Sequence, residues 1–269
     1  MKHKAFLFTA HSNDESNHSI GITQEGTVYT WGKNSGLGKL GRPPGDKGSS
    51  KPQQPLFSNP YNDNHRRGVK HQSSIGPERS QTQLQRYVNV KATRGYVGGT
   101  KDAGHSAVLD ENNQLWVTGC DRWQQLGLGS ASAGAAGYTW KDGALWQESF
   151  QRNDFILELM KEKCGDGVEI KDVAIGGDHT VVLADNKKDV FTFGKGSEGQ
   201  LGLGGKPFVS SPVHSKELSS SKNNIASVCA IRHCSFTLGD DGEVLQKVGR
   251  CRFESEFIRR LLQSCHEKK

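Results

Sequence analysis

The sequence predicts an all-β chain built from repeated small antiparallel sheets, and three observations carry that prediction. First, one frame recurs: His-Ser or His-Thr, an alternating strand, a polar turn, a second strand closing on Gly, then a Gly-rich loop ending Leu-Gly. Second, apolar residues make up only 33% of the chain while glycine supplies 33 of its 269 residues. That composition suits short strands and many turns better than helical or parallel-sheet cores. Third, the strands are too short and too often broken by turn residues for helices, and no apolar run approaches the roughly 18 residues of a membrane helix.

The repeats take the elements in order. The first copy, NHSIGITQEGTVYTWGKNSGLGKLGR, runs from Asn17 to Arg42, and the second, GHSAVLDENNQLWVTGCDRWQQLGLGS, from Gly104 to Ser130. The third, DHTVVLADNKKDVFTFGKGSEGQLGLGG, runs from Asp178 to Gly205. A degraded fourth, HCSFTLGDDGEVLQKVGRC, spans His233 to Cys251. His18 to Gly32 and His105 to Gly119 both cover 14 positions, and His179 to Gly194 covers 15. In the fourth copy Cys234 stands in the His slot and Gly249 follows 15 positions later.

Upstream of each slot lies a further strand candidate: KAFLFTA, RYVNVKATRGY, EIKDVAIGG and IASVCAIR. Three strands per unit, with a short fourth after Leu-Gly, form a meander, and meanders repeated along a chain stack radially as propeller blades. The Gly-to-Gly intervals are 87, 75 and 55 residues. The shortest nears the roughly 40–50 residues of known blade repeats, so the longer two hold insertions.

The glycines also spell a competing motif. Gly194, Gly196 and Gly199 make G-x-G-x-x-G after the strand VFTF, the spelling of a dinucleotide-binding turn. Such a turn must open a helix that receives the pyrophosphate. Here that helix would contain Gly199, Gly202, Gly204, Gly205 and Pro207. Glycine costs about 1 kcal/mol per helical position and proline about 3. In the second copy Gln124 replaces the third glycine while Leu-Gly persists. These are turn residues of a repeat, and no nucleotide or other cofactor is expected.

The segments HSIGITQEGTVYTWGKN…GKLG, HSAVLDENNQLWVTGCDRWQQLGLG and HTVVLADNKKDVFTFGKGSEGQLGLG resemble the pattern H-S-x-x-L-x-x-x-G-x-V-x-x-W-G-x-N-x-x-G-Q-L-G of the regulator of chromosome condensation repeat family. The resemblance covers about two-thirds of the chain. It implies a β-propeller, and because that family's rings usually have seven blades against about four here, a partial or incomplete one. The position before the blade glycine departs from the pattern's Trp31, being Thr118, Phe193 and Val248. The family includes guanine nucleotide exchange factors, chromatin binders, ubiquitin-ligase attachments and scaffolds, so the fold does not select the function. No motif of the exchange loops can be carried onto this sequence.

The expected organisation is a propeller-like domain over residues 1–252 with helical insertions, and a C-terminal amphipathic helix over 253–269. Residues 42–85, rich in Pro, Gly, Ser, Asn and Gln, are expected to be a disordered insertion. Residues 130–165 form an inter-blade insertion, with Phe150, Ile156, Leu157, Leu159 and Met160 expected on a short helix ended by Gly165. Trp140, Trp146 and Phe150 there would cover a sheet edge or engage a partner. Phe253, Phe257, Leu261 and Leu262 would line one face of the C-terminal helix and cap an open sheet edge.

Charge and cysteine usage narrow the function classes. The net charge of +6 is mild, but Arg66, Arg67, Lys70, Arg79 and Arg86 are concentrated between Asn64 and Lys101. They allow nucleic-acid or chromatin contact, though no aromatics interleave them for base stacking. The six cysteines include no C-x-x-C pair, and no secretory signal is present. Reduced thiols and an intracellular location, cytoplasm or nucleus, are therefore expected, with no structural zinc and no membrane contact.

His18, His105 and His179 recur at one blade position. They are read as packing residues whose imidazoles or hydroxyl neighbours satisfy backbone groups between blades, because Cys234 takes the fourth slot. Arg122 and Trp123 occupy loop positions that are Ser197 and Glu198 in the third copy. They are the interaction candidates, being residue types enriched at binding hot spots, although Trp123 could equally cap the neighbouring blade. No catalytic or metal site is expected. The expected function is a non-enzymatic protein–protein interaction scaffold. The alternatives are a guanine nucleotide exchange factor for a Ran-like small GTPase and a chromatin-associated propeller using the basic linker.

Overall fold

Four antiparallel sheets follow one another along the chain. In the computed structural model, residues 6–11, 17–33, 38–42, 48–58, 87–100, 103–129, 138–141, 144–241 and 243–250 are described. The first sheet is β1 (Phe6–His11), β2 (His18–Thr23), β3 (Val28–Lys33) and β4 (Gly48–Gln53), paired in chain order. The second holds β5 (Ala92–Gly98), β6 (His105–Asp110), β7 (Leu115–Cys120), β8 (Tyr138–Lys141) and β9 (Ala144–Arg152), in the order β5-β6-β7-β9-β8. The third is β10 (Ile170–Ile175), β11 (His179–Ala184), β12 (Val190–Lys195) and β13 (Phe208–His214). The fourth is β14 (Ser227–Ile231), β15 (Cys234–Leu238) and β16 (Val244–Gly249).

Period two explains why the second strand of each unit reads as nearly continuous apolar sequence. Successive side chains point to opposite faces, and in an internal sheet both faces meet a neighbour. In β11, Val182 and Ala184 join the core shared with the second sheet, while Val181 and Leu183 join the core shared with the fourth. Ile20, Ile22 and Val28 of the first sheet meet Val108 and Trp116 of the second in the same way. The stack is therefore held by cores between sheets.

The repeat glycines sit at equivalent places. Gly32, Gly119, Gly194 and Gly249 lie opposite His18, His105, His179 and Cys234 in the register of the second and third strands. Gly119 and Gly194 have φ of 115° and 102°, and a Cβ there would come within 2.6 Å of the backbone oxygens of Gly104 and Asp178. Only glycine fits such a conformation without strain. The G-x-G-x-x-G run follows β12, which is antiparallel to both its neighbours, and it leads through turns to β13 with no helix.

The helix α1 (Asp154–Cys164) starts where the Asn153 side chain accepts from Ile156 N and ends at Gly165, φ 97°. Asp154 in its first turn and Lys161 and Lys163 in its last complement the helix dipole. Ile156 and Met160 bury its inner face against the core of the second and third sheets.

Two expectations about the insertions are corrected. Residues 42–85 are not disordered throughout: 48–53 form β4, Phe57 is buried, and its ring stacks on Phe150 at 4.8 Å. The exposed edge of β3 recruits this strand by backbone bonding, which polar residues and Pro52 at a sheet edge allow. Phe150 lies on β9, not on a helix. Residues 144–152 complete the second sheet against β7, and Trp146 is buried there. Residues 59–86, with Arg66, Arg67, Lys70, Arg79 and Arg86, and the C-terminal helix expected over 253–269, lie outside the described residues.

The expectation of reduced thiols fails at one position. Cys120, Cys164 and Cys229 are thiols, but Cys234 is disulfide-bonded. It occupies the slot from which the other copies reach a following sheet, and among the described residues no sheet follows the fourth.

Candidate interaction surface

The His slots come first because they define what is scaffold. His18 Nε2 lies 2.8 Å from Ser106 Oγ, His105 Nε2 3.1 Å from Thr180 Oγ1, and His179 Nε2 2.8 Å from Ser235 Oγ. Each hydroxyl donates in turn to the preceding sheet: Ser106 to Lys39 O at 2.6 Å, Thr180 to Gln125 O at 2.8 Å and Ser235 to Gln200 O at 2.7 Å. Those carbonyls precede the three Leu-Gly pairs. A hydroxyl has one proton, so having given it to the carbonyl it must accept from the imidazole. The Nε2–H tautomer follows.

This refines the sequence reading. Backbone satisfaction is the hydroxyl's task, and the imidazole bonds the hydroxyl of the next sheet. Burial, with the charge of neighbouring imidazoles second, pushes His105 and His179 down to about 3. They stay neutral and act as structural links. Burial likewise raises the Cys120 thiol to about 12, so it is no nucleophile at neutral pH. Among the described residues no group of three or more His, Cys, Asp and Glu could hold a metal ion.

Arg122 and Trp123 lie in the turn after β7, held from both sides. Asp121 Oδ1 accepts from Leu126 N at 3.0 Å, and Gln125 Oε1 accepts from Trp123 N at 2.8 Å. Arg122 is exposed and Trp123 half-buried. Lys195 Nζ, at the end of β12 in the next sheet, stands 5.1 Å from the Trp123 ring centroid, a cation–π distance. Trp123 therefore reaches the neighbouring blade and keeps part of its surface outside.

The structure adds residues that spacing did not reveal. Asp178, between β10 and β11, is only 7% exposed, and burial raises its pKa against the opposing pull of Lys195, His233 and Arg122. Three cationic or titratable side chains from three sheets thus gather around one buried carboxylate. The sequence signal was faint: Asp178 aligns with Asn17, Gly104 and His233, one position before the His slot.

Comparison with known proteins agrees with this architecture. The profile of the regulator of chromosome condensation (RCC1) repeat matches residues 189–238, and a second profile of that repeat matches 16–36 and 170–200. The chain is 30% identical over 200 residues to the Protein RCC2 homolog of Danio rerio, covering 69% of this chain and 31% of that protein. It is 31% identical over 140 residues to the X-linked retinitis pigmentosa GTPase regulator of Canis lupus familiaris, covering 52% of this chain and 12% of that one. The crystal structure of Prp20p from Saccharomyces cerevisiae, a protein described with its binding properties to Gsp1p and histones, superposes with a TM-score of 0.53 at 18% identity. That match covers 91% of this chain and 45% of Prp20p. The chain thus spans less than a third of the fish relative and under half of the solved structure. Among the described residues no helix is long and apolar enough to cross a membrane.

Proposed function

We propose that this chain, which carries repeats of the regulator of chromosome condensation type, is a non-enzymatic interaction module. Its contact surface is the loop end around Arg122 and Trp123, and its partner is a protein. The observation that carries this reading is the juxtaposition of exposed Arg122 with half-buried Trp123 and Lys195 on a turn fixed by Asp121 and Gln125. A rigid aromatic with cations beside it gives contact area at little cost in side-chain entropy. Protein binding by a similar fold supports it, since Prp20p is described with Gsp1p and histones.

A pulldown from cell extract with the wild-type chain and the Arg122→Ala and Trp123→Ala variants, quantified by mass spectrometry, tests the reading. At least one protein should be enriched by wild type and lost from both variants while their melting temperatures hold. Equal recovery by all three rejects this surface.

Guanine nucleotide exchange on a Ran-like small GTPase is the second reading, favoured by similarity to a protein named as a GTPase regulator. The scaffold reading expects at most weak stimulation of labelled-GDP release. Acceleration by several orders of magnitude at sub-stoichiometric protein would replace it. Chromatin contact through Arg66, Arg67, Lys70, Arg79 and Arg86 predicts salt-sensitive retention on DNA that is lost when these five are changed to Gln.

A further inference from the structure

The two ends of the strands differ in charge. At one end the third strand of each repeat runs out into a loop, and the residue after the blade glycine is Lys33, Cys120, Lys195 or Arg250. Where the second sheet has Cys120, Arg122 supplies the cation two positions on. Arg232, in the turn between β14 and β15, adds another on the fourth sheet, and its carbonyl accepts from Gly177 N of the third at 2.8 Å. Lys33, Arg122, Arg232 and Arg250 are exposed and Lys195 is half-buried. The turns at the other end of the same strands carry Glu25, Glu111, Asp185, Asp240, Asp241 and Glu243 against Lys187 and Lys188.

Most of the cations at the loop end are uncommitted. Among the described residues, Arg250 alone of the five has an ion-pair partner within 4 Å, Glu198 Oε2 at 3.2 Å. The acids in the described loops of this end are Asp121, Asp178 and Glu198. Asp121 is 0% exposed and Asp178 7%, so neither can meet a partner directly. Asp178 acts from beneath, as a counter-charge to Lys195, His233 and Arg122. Cations gathered at one end and acids at the other make a field that steers an anion to the loop end.

Which anion follows from what stands between the cations. A nucleic acid is held by a run of phosphate contacts and, where single-stranded, by open aromatic faces. Trp123 is the aromatic on the turn after β7, and Lys195 Nζ already stands 5.1 Å from its ring centroid. Glu198 interrupts the cations between the third and fourth sheets. Carboxylates on separate flexible side chains reach each cation singly and bypass Glu198, and their bonds to guanidinium are strong, charge-assisted ones. On the reading of this loop end as the contact surface, we infer that the protein partner presents an acidic segment. Its carboxylates lie across Arg122, Lys195 and Arg232 of three successive sheets, and the buried Asp178 limits how strongly they are held.

Fluorescence anisotropy of the full-length chain with a fluorescein-labelled decaglutamate peptide, in about 0.1 M salt, tests this. Lys195→Glu/Arg232→Glu should weaken binding roughly tenfold or more. Lys187→Glu/Lys188→Glu makes the same change in net charge at the other end of a six-residue strand, about 20 Å away. That exceeds the Debye length of about 10 Å, so binding should move less than about twofold. Asp178→Asn keeps every surface cation and removes the counter-charge, so it should tighten binding by about threefold, a gain that misfolding cannot produce. The inference is overturned if the peptide does not bind, if both double variants weaken it equally, or if Asp178→Asn brings no gain. It is also overturned if an oligothymidylate of equal charge binds more tightly and displaces the peptide. Should the peptide fail while the extract pulldown still loses a protein from Arg122→Ala and Trp123→Ala, the contact surface stands and the acidic partner alone is rejected.

Discussion

The second and fourth sheets begin from the same repeat and end differently. In the second, β6 and β7 are buried at every position, five strands are present, and His105 bonds the next sheet. In the fourth, three strands lie among the described residues, β16 is partly exposed, and the His slot is a disulfide-bonded cysteine. The strand-turn-strand unit and its closing glycine survive in both. What changes is the outgoing connection. The repeat therefore has two separable parts, a unit that folds a sheet and a seam that joins it to another, and the fourth copy keeps the unit and the incoming hydroxyl of the seam but not the outgoing histidine.

Acid should separate the two sheets most strongly. His105 and His179 have folded-state values near 3, against about 6.5 in an unfolded chain. Below pH 6.5 the unfolded chain takes up protons that the folded chain refuses, so stability falls steadily as pH drops from about 6.5 toward 3. Each imidazole contributes a slope of roughly 1.4 kcal/mol per pH unit in that window. Urea titrations from pH 7 to pH 4 should show it. His105→Gln should flatten the slope by close to one proton; an unchanged slope would mean that this imidazole charges in the folded state.

Glycine substitution comes next. Gly119→Ala places a Cβ against Gly104 O in a strand buried on both sides, and should cost about 3 kcal/mol or more. Gly249→Ala meets His233 O at 2.2 Å, but β16 is an outer strand that can shift, so about 1–2 kcal/mol is expected. Equal losses in denaturant midpoint would erase the distinction between a fully buried strand and a partly exposed one.

Removing a seam hydroxyl is milder. Thr180→Val leaves the His105 N–H and Gln125 carbonyl without their shared partner, at about 1–3 kcal/mol. Ser235→Ala should cost a similar amount, since the third and fourth sheets use the same link. Thermal melts that showed Ser235→Ala to be neutral would place the loss of the seam one sheet earlier. Smallest of all, Arg122→Ala should leave the unfolding free energy within about 0.5 kcal/mol of wild type, because its side chain is exposed.

The inner parts of each sheet were legible in the sequence because both their signals are local. Alternation in HSAVLD and HTVVLA, and a glycine 14 or 15 positions after the slot, mark the second and third strands directly. The outer strands were harder. GSSKPQ has no apolar period, and it becomes β4 only because β3 offers an unpaired edge. Phe150 fitted a helical spacing with Ile156 and Met160, but the Asn153 cap starts the helix after it. The seam was half legible. The histidines stood out, whereas the carbonyls of Lys39, Gln125 and Gln200 are backbone and carry no letter of their own. At the candidate surface Arg122 and Trp123 were visible by residue type. Asp178, Lys195 and His233 were not, because only the stacking of three sheets brings them together.

The order of donors along the seam has a consequence for how such units can be combined. The second and third sheets each offer a hydroxyl on the leading side and an imidazole N–H on the trailing side. The join thus has a sense, like a plug and a socket. Two leading sides would bring hydroxyls together without the carbonyl and the imidazole that the preceding sheet supplies, and two trailing sides would bring imidazoles and carbonyls together without the hydroxyl that bridges them. Face-to-face pairing of like sides is refused, and only head-to-tail addition is accepted, the heterologous kind of contact that closes into a ring or runs on as a filament according to the angle between units. Writing cysteine in place of histidine at position 234 removes the plug and leaves the socket. A graft that restores Cys234→His and follows it with a second copy of residues 170–205 should therefore extend the stack by one sheet, while the same insert placed after an unaltered Cys234 should find nothing to join.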